Sequence, residues 1–98
     1  MRRIEVDPAV SGPALAERLT GFDLVVASVT PQFPRAFFEH NSDVALVARH
    51  GVGCDNVDLE AACEHGVIVT RVAKADERDA VAELSVALIM ACARGVVP

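Results

Sequence analysis

The apolar run Val44-Ala45-Leu46-Val47-Ala48 passes through Arg49 into His50-Gly51-Val52-Gly53-Cys54-Asp55-Asn56. Asp58 to His65 follows, with Gly66 behind it, and then Val67-Ile68-Val69-Thr70. The first segment is continuous and apolar, which suits a strand buried on both faces. The second carries two glycines where the chain has to reverse direction. Asp58–His65 has the spacing of a short helix. Leu59, Ala62 and Cys63 face inward, and Gly66 stops it. The last segment is again a strand. A strand, a turn, a helix and a strand at this spacing make a βαβ unit with parallel strands and a right-handed crossover.

The pattern extends in both directions. Toward the N-terminus, Asp23–Ser28 is a β-branched run that reads as another strand buried on both faces. Thr30–Pro34 is a turn, and Arg35–His40 a short helix carrying Phe37 and Phe38. Pro13–Leu19 reads as a helix capped by Ser11, with Leu15 and Leu19 on one side and Gly21 ending it. Arg3–Val6 is a short strand stopped by Asp7-Pro8. Toward the C-terminus, Val72–Asp76 reads as irregular chain and Asp79–Arg94 as a helix ended by Gly95 and Pro98. The order β-α-β-α-β-α-β-α predicts an α/β fold: an open, mostly parallel sheet of four strands with helices on both faces.

Ninety-eight residues allow one small domain. Nine Lys/Arg against fourteen Asp/Glu give a net charge of −5, which argues against nucleic acid or an anionic membrane as a partner. Aromatic residues are 4% of the chain, with no Trp or Tyr, so base-stacking surfaces are excluded as well. The uncharged stretch Leu84–Ala93 is about half of what a membrane span needs. Cys54, Cys63 and Cys92 are odd in number and form no CxxC pair, which predicts free thiols and a cytoplasmic setting. Cys63 and Cys92 are expected as inert core thiols. From Ala80 to Ala93 only Glu83 is charged. A helix apolar all round has to be covered all round, and one sheet face covers only half of it. Helix 80–93 is therefore expected to meet a partner surface, and a homo-oligomer is the simplest case.

The turn Gly51-Val52-Gly53 is the main candidate for chemistry. It begins like the dinucleotide fingerprint GxGxxG, but Asn56 holds the third glycine position. A small carboxylate on the Val52 and Gly53 amides fits the turn better than a pyrophosphate does. A plain tight turn, with Asn56 or Asp58 capping the next helix, fits it equally. Arg49 stands at the carboxyl end of a strand, where open α/β sheets bind ligands, and a guanidinium there would hold a carboxylate. His50 and Cys54 lack both a third, orienting group and the further ligands a zinc site requires. No metal and no catalytic residue is assigned.

The stretch Arg49-His50-Gly51-Val52-Gly53-Cys54-Asp55-Asn56-Val57-Asp58-Leu59-Glu60-Ala61-Ala62 resembles the substrate-domain signature of the D-isomer-specific 2-hydroxyacid dehydrogenases. Gly66-Val67-Ile68-Val69-Thr70, Val81-Ala82-Glu83-Leu84 and Arg94-Gly95-Val96-Val97-Pro98 continue the likeness. It is close from Asp43 to Pro98 and rests on pattern alone from Ile4 to Asn41. The resemblance implies a flavodoxin-like substrate domain. The implied function is an NAD- or NADP-dependent oxidoreductase acting on the CH–OH group of small D-2-hydroxy acids. It implies that Val52 and Gly53 bind the substrate carboxylate and that Val52 also touches the nicotinamide side of the cofactor. It implies as well that the loop carrying Ser28 approaches the substrate.

Two departures accompany the likeness. Ala27-Ser28 stands where many members have Arg-Ser, and Arg71-Val72-Ala73-Lys74 replaces the usual Asn-x-Pro-Gly. The family's catalytic Arg, Glu and His and its dinucleotide fingerprint belong to a cofactor domain. Residues 1–98 are therefore expected to form a partial substrate domain that is inactive alone and binds no cofactor tightly. The alternative is a stand-alone flavodoxin-like binding or interaction module without catalysis, with helix 80–93 as its partner surface.

Overall fold

The protein is described by a computed structural model covering residues 1–96. Seven elements follow in order: α1 (Gly12–Arg18), β1 (Leu24–Ala27), α2 (Arg35–His40), β2 (Leu46–Arg49), α3 (Leu59–Glu64), β3 (Ile68–Thr70) and α4 (Lys74–Arg94). The strands form one open sheet in the order β1-β2-β3, parallel throughout. Leu24, Leu46 and Ile68 lie in one row, Val25, Val47 and Val69 in the next, and Val26, Ala48 and Thr70 in a third. Rows alternate between the two faces because strand side chains alternate.

The core lies on the face that carries Val25, Val47 and Val69. Leu15, Ala16 and Leu19 of α1, Phe37 and Phe38 of α2, and Ala61 and Ala62 of α3 close over it, together with Phe33, Val44, Val57 and Val67. Phe33, Phe37 and Phe38 meet edge to face at 5.1 Å between neighbouring centroids, the preferred geometry for aromatic quadrupoles. Buried Asn41 ties three segments together. Its Nδ2 donates to Ala16 O, and its Oδ1 accepts from the Asp43 and Val44 amides. At the surface, Arg35 Nη1 donates to Glu64 Oε2 at 2.5 Å, linking α2 to α3. That hydrogen bond holds the Glu64 carboxyl below its ordinary range. Its stabilising effect is present above the usual carboxylate pKa and is lost as pH falls through the lowered value.

The expected α/β class with an open parallel sheet is present, and several details change. There are three strands among the described residues, because Arg3–Val6 runs as irregular chain. Arg2, Arg3 and Glu5 leave only Ile4 and Val6 to bury, too little apolar surface to offset the entropy of ordering a strand. Helices cover one sheet face, not both. Leu24, Val26 and Ile68 on the other face are exposed, so β1 is not buried on both sides. In α3 the inward pair is Ala61 and Ala62, while Leu59 and Cys63 are exposed. Ser11 stands at the α1 N-cap, but its hydroxyl donates to Gln32 O and does not cap the helix.

Helix α4 starts at Lys74, earlier than Asp79. Its first residues are good helix formers, and no Pro or Gly interrupts them. Among the described residues it packs against no other element, so the sheet does not cover half of it, and Cys92 is exposed, not a core thiol. Gly95 ends the helix with φ 61°, while Pro98, also expected at this stop, lies outside the described residues.

Candidate functional site

Parallel strands bring their carboxyl ends to one edge of the sheet. Ala27, the last residue of β1, pairs with Arg49, the last of β2, and β3 ends at Thr70 beside Ala48. Ser28, the turn 50–53 and Arg71 therefore emerge together. The edge is stitched by backbone bonds. His50 N donates to Ala27 O at 2.6 Å, Gly51 N to Arg49 O at 3.0 Å, and Val72 N to Gly51 O at 3.0 Å.

Beneath the turn, Arg49 and Asn56 are both buried. Arg49 Nε donates to Asn56 Oδ1 at 3.2 Å, and its Nη1 donates to the His50 carbonyl. Asn56 Nδ2 donates to Ser28 O at 3.1 Å and to Pro31 O at 3.0 Å. One amide side chain thus joins the loop after β1 to the arginine that ends β2. The segment after the turn is held as well: Phe33 N donates to Asn56 O at 2.7 Å and Asp58 N to Phe33 O at 2.9 Å. No side-chain polar atom buried among the described residues lacks a partner.

The two glycines of the turn serve different ends. Gly51 has φ 151°, and a Cβ there would collide with the Arg49 guanidinium. Gly51 is thus bare so that the arginine can tuck beneath it. At Gly53 a Cβ would meet only Asp55 Oδ2, at 3.7 Å, so the turn is open on that side. Among the described residues, neither the Val52 nor the Gly53 N–H donates to a protein acceptor. Two consecutive amide donors without protein acceptors thus lie at the sheet's carboxyl edge, above the buried Arg49.

All four predicted substrate residues, Ser28, Arg49, Val52 and Gly53, lie at this edge. Arg49 is not a free fork, because its Nε and Nη1 are spent on Asn56 and His50. Two residues acquire roles the sequence reading did not give them. Asn56 is the hub of the site, neither a helix cap nor a vacant glycine position. Arg71, noted only as a departure from a motif, donates from Nη1 to Val52 O at 3.3 Å. The signal for Asn56 was the neutral amide between a turn and a helix, a side chain able to donate and accept at once. Arg71 carried no local signal, since its contact depends on how two loops meet.

A dinucleotide phosphate does not fit this turn. Helix α3 has six residues, and the Asp58 carboxylate already accepts from Ala61 N at 2.9 Å, so a negative group occupies its N-terminus. The third glycine position holds buried Asn56. Among the described residues no three His, Cys, Asp or Glu side chains gather as a metal site. A hollow of about 270 Å³ lined by Phe38, His40, Asn41 and His65 opens at the opposite edge, where the strands begin, and shares no residue with the turn.

Comparison with known proteins bears on the same segment. The family described as D-isomer specific 2-hydroxyacid dehydrogenase, catalytic domain, matches residues 1–93. The chain belongs to this family. Similar curated proteins include a D-3-phosphoglycerate dehydrogenase of Methanocaldococcus jannaschii, 33% identical over 93 residues that make up 95% of this chain and 18% of that protein. A glyoxylate reductase of Thermococcus litoralis is 34% identical over 83 residues, 85% of this chain and 25% of that one. Among solved structures, the pyruvate reductase of Chlamydomonas reinhardtii superposes with a TM-score of 0.66 at 36% identity, over 81% of this chain and 24% of that one. The chain spans about a quarter or less of the length of these relatives. Its membership agrees with the resemblance read from residues 49–62, and its three-stranded parallel sheet superposes on part of the pyruvate reductase's fold. Among the described residues, no helix is long and apolar enough to cross a membrane.

Proposed function

We propose that this chain supplies the substrate-carboxylate clamp of an NAD- or NADP-dependent D-2-hydroxyacid dehydrogenase. The observation that carries the reading is the pair of consecutive amide donors, Val52 and Gly53, left without protein acceptors at the carboxyl edge of the sheet. A carboxylate accepts two such N–H groups well, because charge-assisted bonds are shorter and stronger than neutral ones. Arg49 contributes positive potential from beneath the turn, and Ser28 borders the site from the neighbouring strand. Val52 would stand toward the nicotinamide side. Because the turn cannot cradle a pyrophosphate, this chain alone binds no cofactor tightly and catalyses nothing. Its part is to bind and orient a small 2-hydroxy or 2-keto acid.

Self-association through helix 80–93 belongs to the same reading, supported by the exposed Val81, Leu84, Leu88 and Ile89. The cytoplasm fits three cysteines that are all free. The second reading, a binding module without catalysis, draws on the same bare helix. It differs in expecting no response of the turn to a hydroxy acid.

An amide-resolved NMR titration with glycolate tests the proposal. Val52 and Gly53 shift first, with a Kd in the millimolar range, since a few hydrogen bonds to a mobile acid yield about 4 kcal/mol. Stationary Val52 and Gly53 amides while others move would overturn it, as would turnover of a 2-keto acid with NADH or NADPH by this chain alone.

A further inference from the structure

We infer that Arg71 is a positioning residue of the clamp: it holds the Val52–Gly53 peptide from behind and sets the affinity of the turn for an anion. This rests on the carboxylate reading above and adds a residue to it.

Two peptide units carry the N–H groups that make the clamp. The first joins Gly51 to Val52, and its carbonyl, Gly51 O, accepts from Val72 N at 3.0 Å. The second joins Val52 to Gly53, and its carbonyl, Val52 O, accepts from Arg71 Nη1 at 3.3 Å. Both carbonyls are thus held by adjacent residues of the connection between β3 and α4. In a trans peptide the N–H points away from the C=O. Anchoring both carbonyls on one side therefore presents both N–H groups on the other.

The anchoring also acts electronically. A carbonyl that accepts a hydrogen bond polarises its peptide, so the N–H of the same unit becomes a better donor, and a charged donor has the larger effect. Gly53 N–H is the donor so strengthened by Arg71. The guanidinium further adds positive potential at the turn and opposes the negative potential of the Asp55 carboxylate, 3.7 Å from where a Cβ on Gly53 would lie. Arg49 cannot substitute, because it is engaged with Asn56 and the His50 carbonyl. Arg71 is exposed, so its charge is screened, and its contribution should fall with added salt.

The test is the glycolate titration of the 98-residue chain, repeated at low and at physiological salt with Arg71→Gln and Arg71→Lys. Glutamine can still donate to Val52 O but carries no charge, whereas lysine keeps the charge. The expected result is that Arg71→Gln weakens binding about three- to tenfold at low salt and flattens its salt dependence. Arg71→Lys should recover at least half of that loss on a logarithmic scale, with the spectrum of unbound protein unchanged away from residues 50–54 and 70–73. If Val52 and Gly53 respond while Arg71→Gln binds as tightly as the parent, the role of Arg71 is overturned and the clamp stands. If lysine is as weak as glutamine, the charge is not what acts and the inference fails. If Val52 and Gly53 do not respond in the parent, the clamp itself falls and the role of Arg71 with it.

Discussion

The turn at residues 49–57 and the helix α4 are opposites within one short chain. In the turn, Arg49 and Asn56 are buried and hydrogen-bonded, and Asn56 alone reaches Ser28, Pro31 and Arg49. In α4, no packing against another element is present among the described residues, and large apolar side chains from Val81 to Met90 stand more than half exposed. The turn is held by partners that lie inside the chain. The helix is apolar without a partner inside the chain, more than a soluble monomer usually leaves open. The proposed recognition of a small anion and the proposed assembly with another surface are thus assigned to different regions, and each should be breakable without the other.

Replacing Asn56 by Ala breaks the first region. Two donors and one acceptor vanish, leaving Arg49 Nε and two carbonyls short of partners, at a cost of about 2 kcal/mol. The midpoint of urea unfolding should drop accordingly, and the response of Val52 and Gly53 to glycolate should weaken. Unchanged stability would mean that Asn56 is not the hub described above. A smaller effect on stability, but a larger one on mass, is expected from the double substitution Leu84→Lys and Leu88→Lys. Sedimentation velocity should show the parent chain associating at tens of micromolar and the variant as a monomer, with the sheet and the clamp intact. A monomeric parent chain would dissolve the contrast, because α4 would then need no partner.

How much of this was legible in the sequence differs between the same two regions. The strands 24–27, 46–49 and 68–70, the helices between them and the special character of Gly51-Val52-Gly53 all follow from local pattern. Ala61 and Ala62, not Leu59 and Cys63, turned inward because α3 is held by Phe33 on the chain's other side, a long-range fact. The strand expected at 3–6 failed because two apolar residues do not make a buried edge. Arg49 was found as a site residue, but its engagement by Asn56 was not, since that depends on where the loop after β1 lies. The early start of α4, at Lys74, falls in the stretch Val72–Asp76 expected as irregular chain, although no Pro or Gly there opposes a helix.

The central claim is that the Gly53 N–H receives the substrate carboxylate. Cys54 directly after Gly53 allows the chain to be joined there from two synthetic pieces. The Val52–Gly53 amide can therefore be replaced by an ester, which removes that single N–H and weakens the Val52 carbonyl as an acceptor for Arg71. Glycolate should bind the parent chain in the millimolar range and the ester variant at least fivefold more weakly, with the Val52 amide still moving. Equal binding by the two would contradict the claim.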